Sequence, residues 1–367
     1  MADKITALII VAILIAVPLF SLFANESYKQ LDIDIFGGGQ NLPEQMEEYL
    51  SENMPGKLAL GRLKHRLLVW GGLEEFDGFF FKEGKLIKNY APDDENGITG
   101  NLQNIFDFIL QKQMPSYIML IPTACVVCQE DVPELADIFN QKTMIDTVYS
   151  AFSGNAITVD AYGALFRNRE KYIYYNTDPL VTSLGGYYLY NELAGKLGKT
   201  PSGMSGFDVT YAGYGFYGSL YKERPMDGVK SDVISLYSYK SYDRNYTVTH
   251  YKAGYTYSYD SLYVPEFEST ENKTDIILGG LSPIVTIETS RPYKDELLIF
   301  GDETAKSYVP FLANHYAKIT VVSLDKLTPE LAQTIEIDQY RQVLFAYSAE
   351  TFAELGALDN IGYFLSE

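Results

Sequence analysis

From residue 100 onward, unbroken apolar runs alternate with stretches whose apolar positions recur at helical spacing. YIMLIP at 117–122 predicts a strand buried on both faces, and AITVD at 156–160, ELLIFG at 296–301, ITVVS at 319–323 and QVLFAY at 342–347 predict further strands. Helical spacing covers 102–113, 132–152, the segment from Ser183, 305–316 and the residues after Pro329. Strands alternating with helices predict an α/β fold built on a parallel sheet with helices on both faces. YIYYN at 172–176 reads as one more strand. It runs into a Thr177-Asp178 turn and then SLGGYYLYNELAGKLG, a helix rich in small residues. Loops at strand C-termini converge on one crevice, so functional groups are expected there.

Elsewhere the pattern changes. FFFKEGKLI at 79–87 predicts a hairpin with a Gly-containing turn. Residues 200–273 are polar, Gly-rich and crowded with Tyr, which predicts a β-rich insertion on the sheet edge. In YTYSY at 255–259, strand alternation puts three rings on one face. Residues 5–24 are apolar and uncharged. A helix of that length spans about 30 Å, the hydrocarbon thickness of a bilayer, and an uncleaved transmembrane anchor is expected. A stalk follows at 25–40, broken by Gly37, Gly38 and Gly39, and the remaining 41–367 form one extracytoplasmic domain. Lys4 before the apolar run and Glu26, Asp32 and Asp34 after it place the N-terminus in the cytoplasm.

Charge narrows the function. A formal net charge of −19 repels phosphate backbones, so nucleic acid is excluded as a partner, and no basic patch attracts anionic lipid. The 31 tyrosines fit a protein that touches sugars, though Tyr also packs sheets. The two cysteines, Cys125 and Cys128, read as buried small residues or a local disulfide. They are too few for a closed zinc site, and no metal or cofactor is expected.

The segment from Tyr172 to Tyr190 resembles the signature of the DHHW family, roughly YYRTDHHWTSLGAYYAY. That family is an extracytoplasmic branch of the SGNH-hydrolase superfamily and is similar to the proteins that O-acetylate alginate. The segment LLIFGDETAKSYVPFLANHY at 297–316 resembles the family's LLVFKDSYANSFVPFLAEHY. The resemblance implies an SGNH-hydrolase-like sheet. It also implies a site whose acid and base come from the first segment and whose nucleophilic Ser comes from the second. Here the four signature residues read Asp178, Pro179, Leu180 and Val181, so both His positions are replaced. Asp302 matches, but Glu303 stands where the Ser belongs, and Ser307 matches a second, non-catalytic Ser. Leu281 replaces an Asn that would serve as an oxyanion donor.

Acyl transfer through serine needs a nucleophile, a base, an orienting acid and aimed donors. With three of these degenerate, at Leu180, Glu303 and Leu281, a catalytically inactive relative is expected. The crevice would retain Asp178, Thr182, Ser183, Asp302, Glu303 and Thr123, which can bind sugar hydroxyls or a cation. The plainer role for Asp178 and Asp302 is helix capping. As the resemblance implies, such a protein binds a cell-envelope or exopolysaccharide glycan, or assists its O-acetylation beside a membrane-bound O-acyltransferase. Two alternatives stand: an active esterase or acetyltransferase using Ser307 or Ser183 with a nonstandard base, and a structural envelope protein whose Tyr-rich insertion is an interface. Asp178 with Glu303 is also permitted as an acid pair for glycoside hydrolysis. The three histidines are His65, in an early helix, His250, in the insertion, and His315, a surface or cap residue.

Overall fold

Eight strands form the central sheet, in the order β5 (Ile157–Thr158), β4 (Ser116–Ile121), β13 (Gln342–Ser348), β11 (Glu296–Gly301), β12 (Lys318–Val322), β10 (Ile284–Thr289), β8 (Tyr246–Lys252) and β9 (Tyr255–Tyr259). The computed structural model describes residues 75–76, 78–92, 95–134, 136–240, 246–290 and 295–365. Apart from Pro225–Asp227, they belong to one unit, Leu73–Arg224 with Gly228–Glu367. The expected membrane helix, the stalk, the helices before Trp70 and His65 lie outside the described residues. Among the described residues, no helix is long and apolar enough to cross a membrane.

The expected parallel sheet is mixed. β5, β4, β13, β11 and β12 run parallel, but β10, β8 and β9 extend the sheet antiparallel. The reason is connectivity. The chain enters β10 beside the end of β12, with Ile284 opposite Val322, so it can only run back along its neighbour. The Tyr-rich insertion is therefore divided: β8 and β9 join the main sheet, whereas β6 (Phe207–Phe216) and β7 (Asp232–Tyr239) make a separate antiparallel ribbon. The predicted hairpin forms as β2 (Phe79–Lys82) and β3 (Lys85–Lys88), with β1 (Glu75–Phe76) paired to β2.

Alternation along the buried strands feeds two cores. Met119, Ile121, Leu297 and Ile299 face one side, with Leu189, Tyr190 and Leu193 of α3 (Ser183–Lys196) and Tyr308 and Phe311 of α4 (Ala305–Leu312). Ile118, Leu120, Leu298 and Phe300 face the other, with Ile105 and Phe108 of α1 (Asn96–Lys112), Ile145 and Val148 of α2 (Gln141–Ala151) and Phe352 of α5 (Ala349–Ala353). Helices thus cover both faces, as expected. Helix α2 is shorter than the predicted 132–152, because the Asn140 side chain accepts a hydrogen bond from the Thr143 amide and caps the helix at Gln141.

Candidate functional site

The parallel strands β4, β11, β12 and β13 end at one cleft of about 690 Å³. This is within the range of ligand clefts and at the expected end of the sheet. Thr123 after β4, Asp302 and Glu303 after β11, Ser323 after β12 and Tyr347 in β13 line it, facing Asp178, Pro179 and Leu180. Four of the six expected residues therefore meet: Thr123, Asp178, Asp302 and Glu303. Thr182 and Ser183 are buried and do not line the cleft.

The signature segment is not a strand of the sheet. Only an isolated bridge joins Tyr174 to Val181, and the backbone groups around it find local partners: the Thr182 amide donates to the Ile173 carbonyl at 2.9 Å. The amides of Asn176 and Thr177 donate to the carboxylate of Asp232, at 2.7 and 2.9 Å, and the hydroxyls of Tyr172 and Thr177 donate to it as well. Asp232, on β7, is 2% exposed. Burial pushes its carboxyl above the ordinary range, against the pull of these donors. It takes the place of a neighbouring strand, which is why YIYYN, for all its β-propensity, stays outside the sheet.

Asp178 and Asp302 are both engaged by backbone amides. Asp178 accepts from the Ser219 amide at 3.0 Å and the Leu180 amide at 3.2 Å. Gly218 permits that approach, since a Cβ there would lie 2.4 Å from Asp178. Asp302 accepts from the Thr304 amide and hydroxyl through one oxygen and from the Ser348 amide, at 2.7 Å, through the other, which ties β11 to β13. Thr123 is held by the buried side chain of Gln141, whose Nε2 donates to Oγ1 at 2.9 Å. Thr182 caps α3 through the Gly185 amide, at 3.2 Å.

Glu303 occupies the turn where the resemblance puts the nucleophile. It is clamped between Lys306 and Lys326, each ammonium 2.7 Å from a different carboxylate oxygen. Burial disfavours its charge, but the two lysines outweigh burial and hold the carboxyl below the ordinary range. Lys306, 3% exposed, also reaches Asp275 at 2.9 Å and donates to Thr274 Oγ1 at 2.9 Å. Burial opposes the Lys306 charge, and Glu303 and Asp275 more than restore it. A carboxylate so held is a poor proton donor, so the Asp178–Glu303 acid pair for glycoside hydrolysis finds no support. Lys306, one helical turn past Glu303, was within reach of a sequence reading. Asp275, Lys326 and Asp232 carried no signal, because only the fold brings them to these partners.

Ser307, His250 and His315 lie off the cleft. Ser307 is buried and donates to the Thr304 carbonyl at 2.7 Å. His250 is fully buried on β8 and stacks on Tyr257. Its Nε2 lies 2.8 Å from the Leu278 carbonyl and its Nδ1 3.2 Å from Ser282 Oγ. Burial lowers its pKa, so the ring is neutral and donates from Nε2 to the Leu278 carbonyl, while the Ser282 hydroxyl donates to the Ile284 carbonyl at 2.8 Å. This is a Ser–His contact, but a carbonyl and not a carboxylate stands behind the ring, and neither residue lines the cleft. The contact props up the Leu278-Gly279-Gly280 loop, three successive left-handed residues that carry Leu281 past the cleft. His315 is half-buried, stacked on Tyr190 with Nε2 2.7 Å from its hydroxyl. Cys125 and Cys128 are buried free thiols, not the local disulfide held open as an alternative. Burial raises the Cys128 pKa, with Lys85 pulling the other way. Among the described residues, no cluster of His, Cys, Asp or Glu could hold a metal ion.

The DHHW protein family model matches residues 88–322. The fold is similar to that of a DHHW family protein from Eubacterium siraeum, at 21% identity and a TM-score of 0.62 over 78% of this chain and 97% of that one. It is also similar to Bacillus cereus PatB1, at 17% identity and a TM-score of 0.63 over 75% of this chain and 97% of that one. A structure of PatB1 with a sulfonyl adduct aligns at 17% identity and a TM-score of 0.64, over 78% and 99% of the two chains. No curated protein sequence matches the chain.

Proposed function

This chain belongs to the DHHW family, and from that premise we propose that it has given up acyl chemistry and kept the cleft as a glycan-binding site. In this reading the apolar run at 5–24 anchors the protein in the membrane. The cleft then holds an envelope or exopolysaccharide glycan outside the cell, alone or beside a membrane-bound O-acyltransferase. One observation carries the proposal: at the nucleophile's turn stands Glu303, a carboxylate neutralised by Lys306 and Lys326, and neither His250 nor His315 lines the cleft to activate a hydroxyl.

PatB1 has been captured with a sulfonyl adduct, and sulfonylation is therefore the direct test. The full chain in detergent micelles is treated with phenylmethylsulfonyl fluoride and weighed by mass spectrometry, and 4-nitrophenyl acetate turnover is measured in parallel. The expected result is no adduct and no turnover above background, for the wild type and for Glu303→Ser alike. Turnover abolished by Ser307→Ala or Ser183→Ala overturns the proposal. The same chain, titrated with neutral, acidic and amino polysaccharides, is expected to bind at least one of them.

A further inference from the structure

Ser323 and Tyr347 stand at the C-terminal ends of β12 and β13, and both line the cleft. They are 1% and 2% exposed, and neither hydroxyl has a hydrogen-bond partner in the protein. Buried polar groups are almost always paired, so two such hydroxyls bordering one cleft mark a place where the missing partners arrive with a ligand.

The charge around them is unbalanced. The three lysines of the cleft are engaged: Lys222 lies 3.2 Å from Glu271, and Lys306 and Lys326 each lie 2.7 Å from Glu303. Asp325, Glu350 and Glu354 also line the cleft and make no salt bridge among the described residues, Lys88 acting on Glu350 and Glu354 only from a distance. Glu350 and Glu354 are one helical turn apart, at α5 and its C-terminal cap, a like-charge spacing that is unfavourable in a free helix. Burial first, with Glu354 and Asp302 adding to it, pushes the Glu350 carboxyl above the ordinary range although Lys88 opposes. A bound cation would relieve this excess. A bare metal ion fits poorly, because the acids do not converge as ligands and the two neutral hydroxyls need hydrogen-bonding partners.

We propose that the cleft takes a sugar bearing a free, protonated amine, its ammonium among Asp325, Glu350 and Glu354 and its hydroxyls on Ser323 and Tyr347. This rests on the glycan-binding reading and narrows it, since uronate and phosphate polymers meet unneutralised carboxylates at the same place.

The test compares two ligands with one skeleton. A glucosamine tetrasaccharide and its fully N-acetylated counterpart are titrated into the full chain in detergent micelles by calorimetry. Cellotetraose, an oligouronate and spermine serve as further arms. The expected result is at least about tenfold tighter binding of the free amine, a margin worth roughly 1.4 kcal/mol. The double variant Glu350→Gln/Glu354→Gln removes that margin, and Tyr347→Phe weakens the free-amine and N-acetyl sugars alike. Melting curves confirm that both variants are folded. Equal binding of the two tetrasaccharides overturns the inference and leaves the glycan reading standing, as does a preference for the oligouronate. A margin that survives the double variant overturns it too, because the amine then sits elsewhere. Spermine bound as tightly, and indifferent to Tyr347→Phe, overturns the sugar half. If a folded chain binds none of the saccharides, both readings fall.

Discussion

Lys306→Met removes an ammonium while keeping the length and apolar bulk of the side chain. In the wild type that ammonium, on a side chain 3% exposed, lies 2.7 Å from Glu303 and 2.9 Å from Asp275. It also donates to Thr274 at 2.9 Å. Removing one partner from a buried ion pair costs about 3–5 kcal/mol, because the other charge is left uncompensated. Two features pull the cost toward the lower bound. Glu303 keeps Lys326 at 2.7 Å, and Asp275, with 22% of its side chain exposed, keeps the Asn272 amide donor at 2.9 Å. The expected loss is therefore about 3 kcal/mol. Lys306→Met/Glu303→Met removes both ends of the closer pair and should recover about 1–2 kcal/mol of it, leaving Asp275 as the main unpaired charge. The measurement is urea unfolding followed by circular dichroism, with the midpoint read at unchanged slope. A Lys306→Met protein within about 0.5 kcal/mol of wild type would refute the reasoning, since a surface substitution does no more than that. So would a double variant less stable than the single one.

Three further outcomes follow from the same geometry. Glu303 has a folded-state pKa below the ordinary glutamate value. The stability it contributes is full above about pH 4.3 and is lost as pH falls through the folded value, so the gap between wild type and Glu303→Gln should close on acidification below about pH 4.3 and stay constant from pH 6 to 8. Asp232→Asn turns an acceptor-only group with four donors around it into one that presents an N–H to them. It should cost about 2–3 kcal/mol, and hydrogen exchange should quicken first at the Asn176 and Thr177 amides. Gly186→Ala would set a Cβ 2.0 Å from the Ser307 carbonyl oxygen where α3 crosses α4. The helices must part, at about 1–3 kcal/mol or more, whereas Gly195→Ala on the same helix meets nothing within 4 Å and should be neutral or mildly stabilising in thermal melts.

The buried strands, the helices that cover them and the location of the crevice were legible from residue order alone. ELLIFG is β11 to the residue, and the caps at Thr182 and Asn140 are local devices that a chain carries wherever it folds. The turn holding Glu303, and the loss of the histidine positions at Pro179 and Leu180, were equally open to reading, because each depends on a few consecutive side chains. Tertiary structure decided the rest. YIYYN has the composition of a strand, yet its amides belong to Asp232, more than fifty residues on, and no local pattern records a partner that distant. The reversal of β10 came from the side of the sheet on which the chain re-enters, a matter of path and not of propensity. The same holds for charge. Sequence supplies the −19 total, but folding alone brings Lys326 to Glu303 and Asp275 to Lys306, and leaves Asp325, Glu350 and Glu354 without a salt bridge beside two buried hydroxyls. Electrostatic energy depends on separation in space, and the chain reveals separation only along its length.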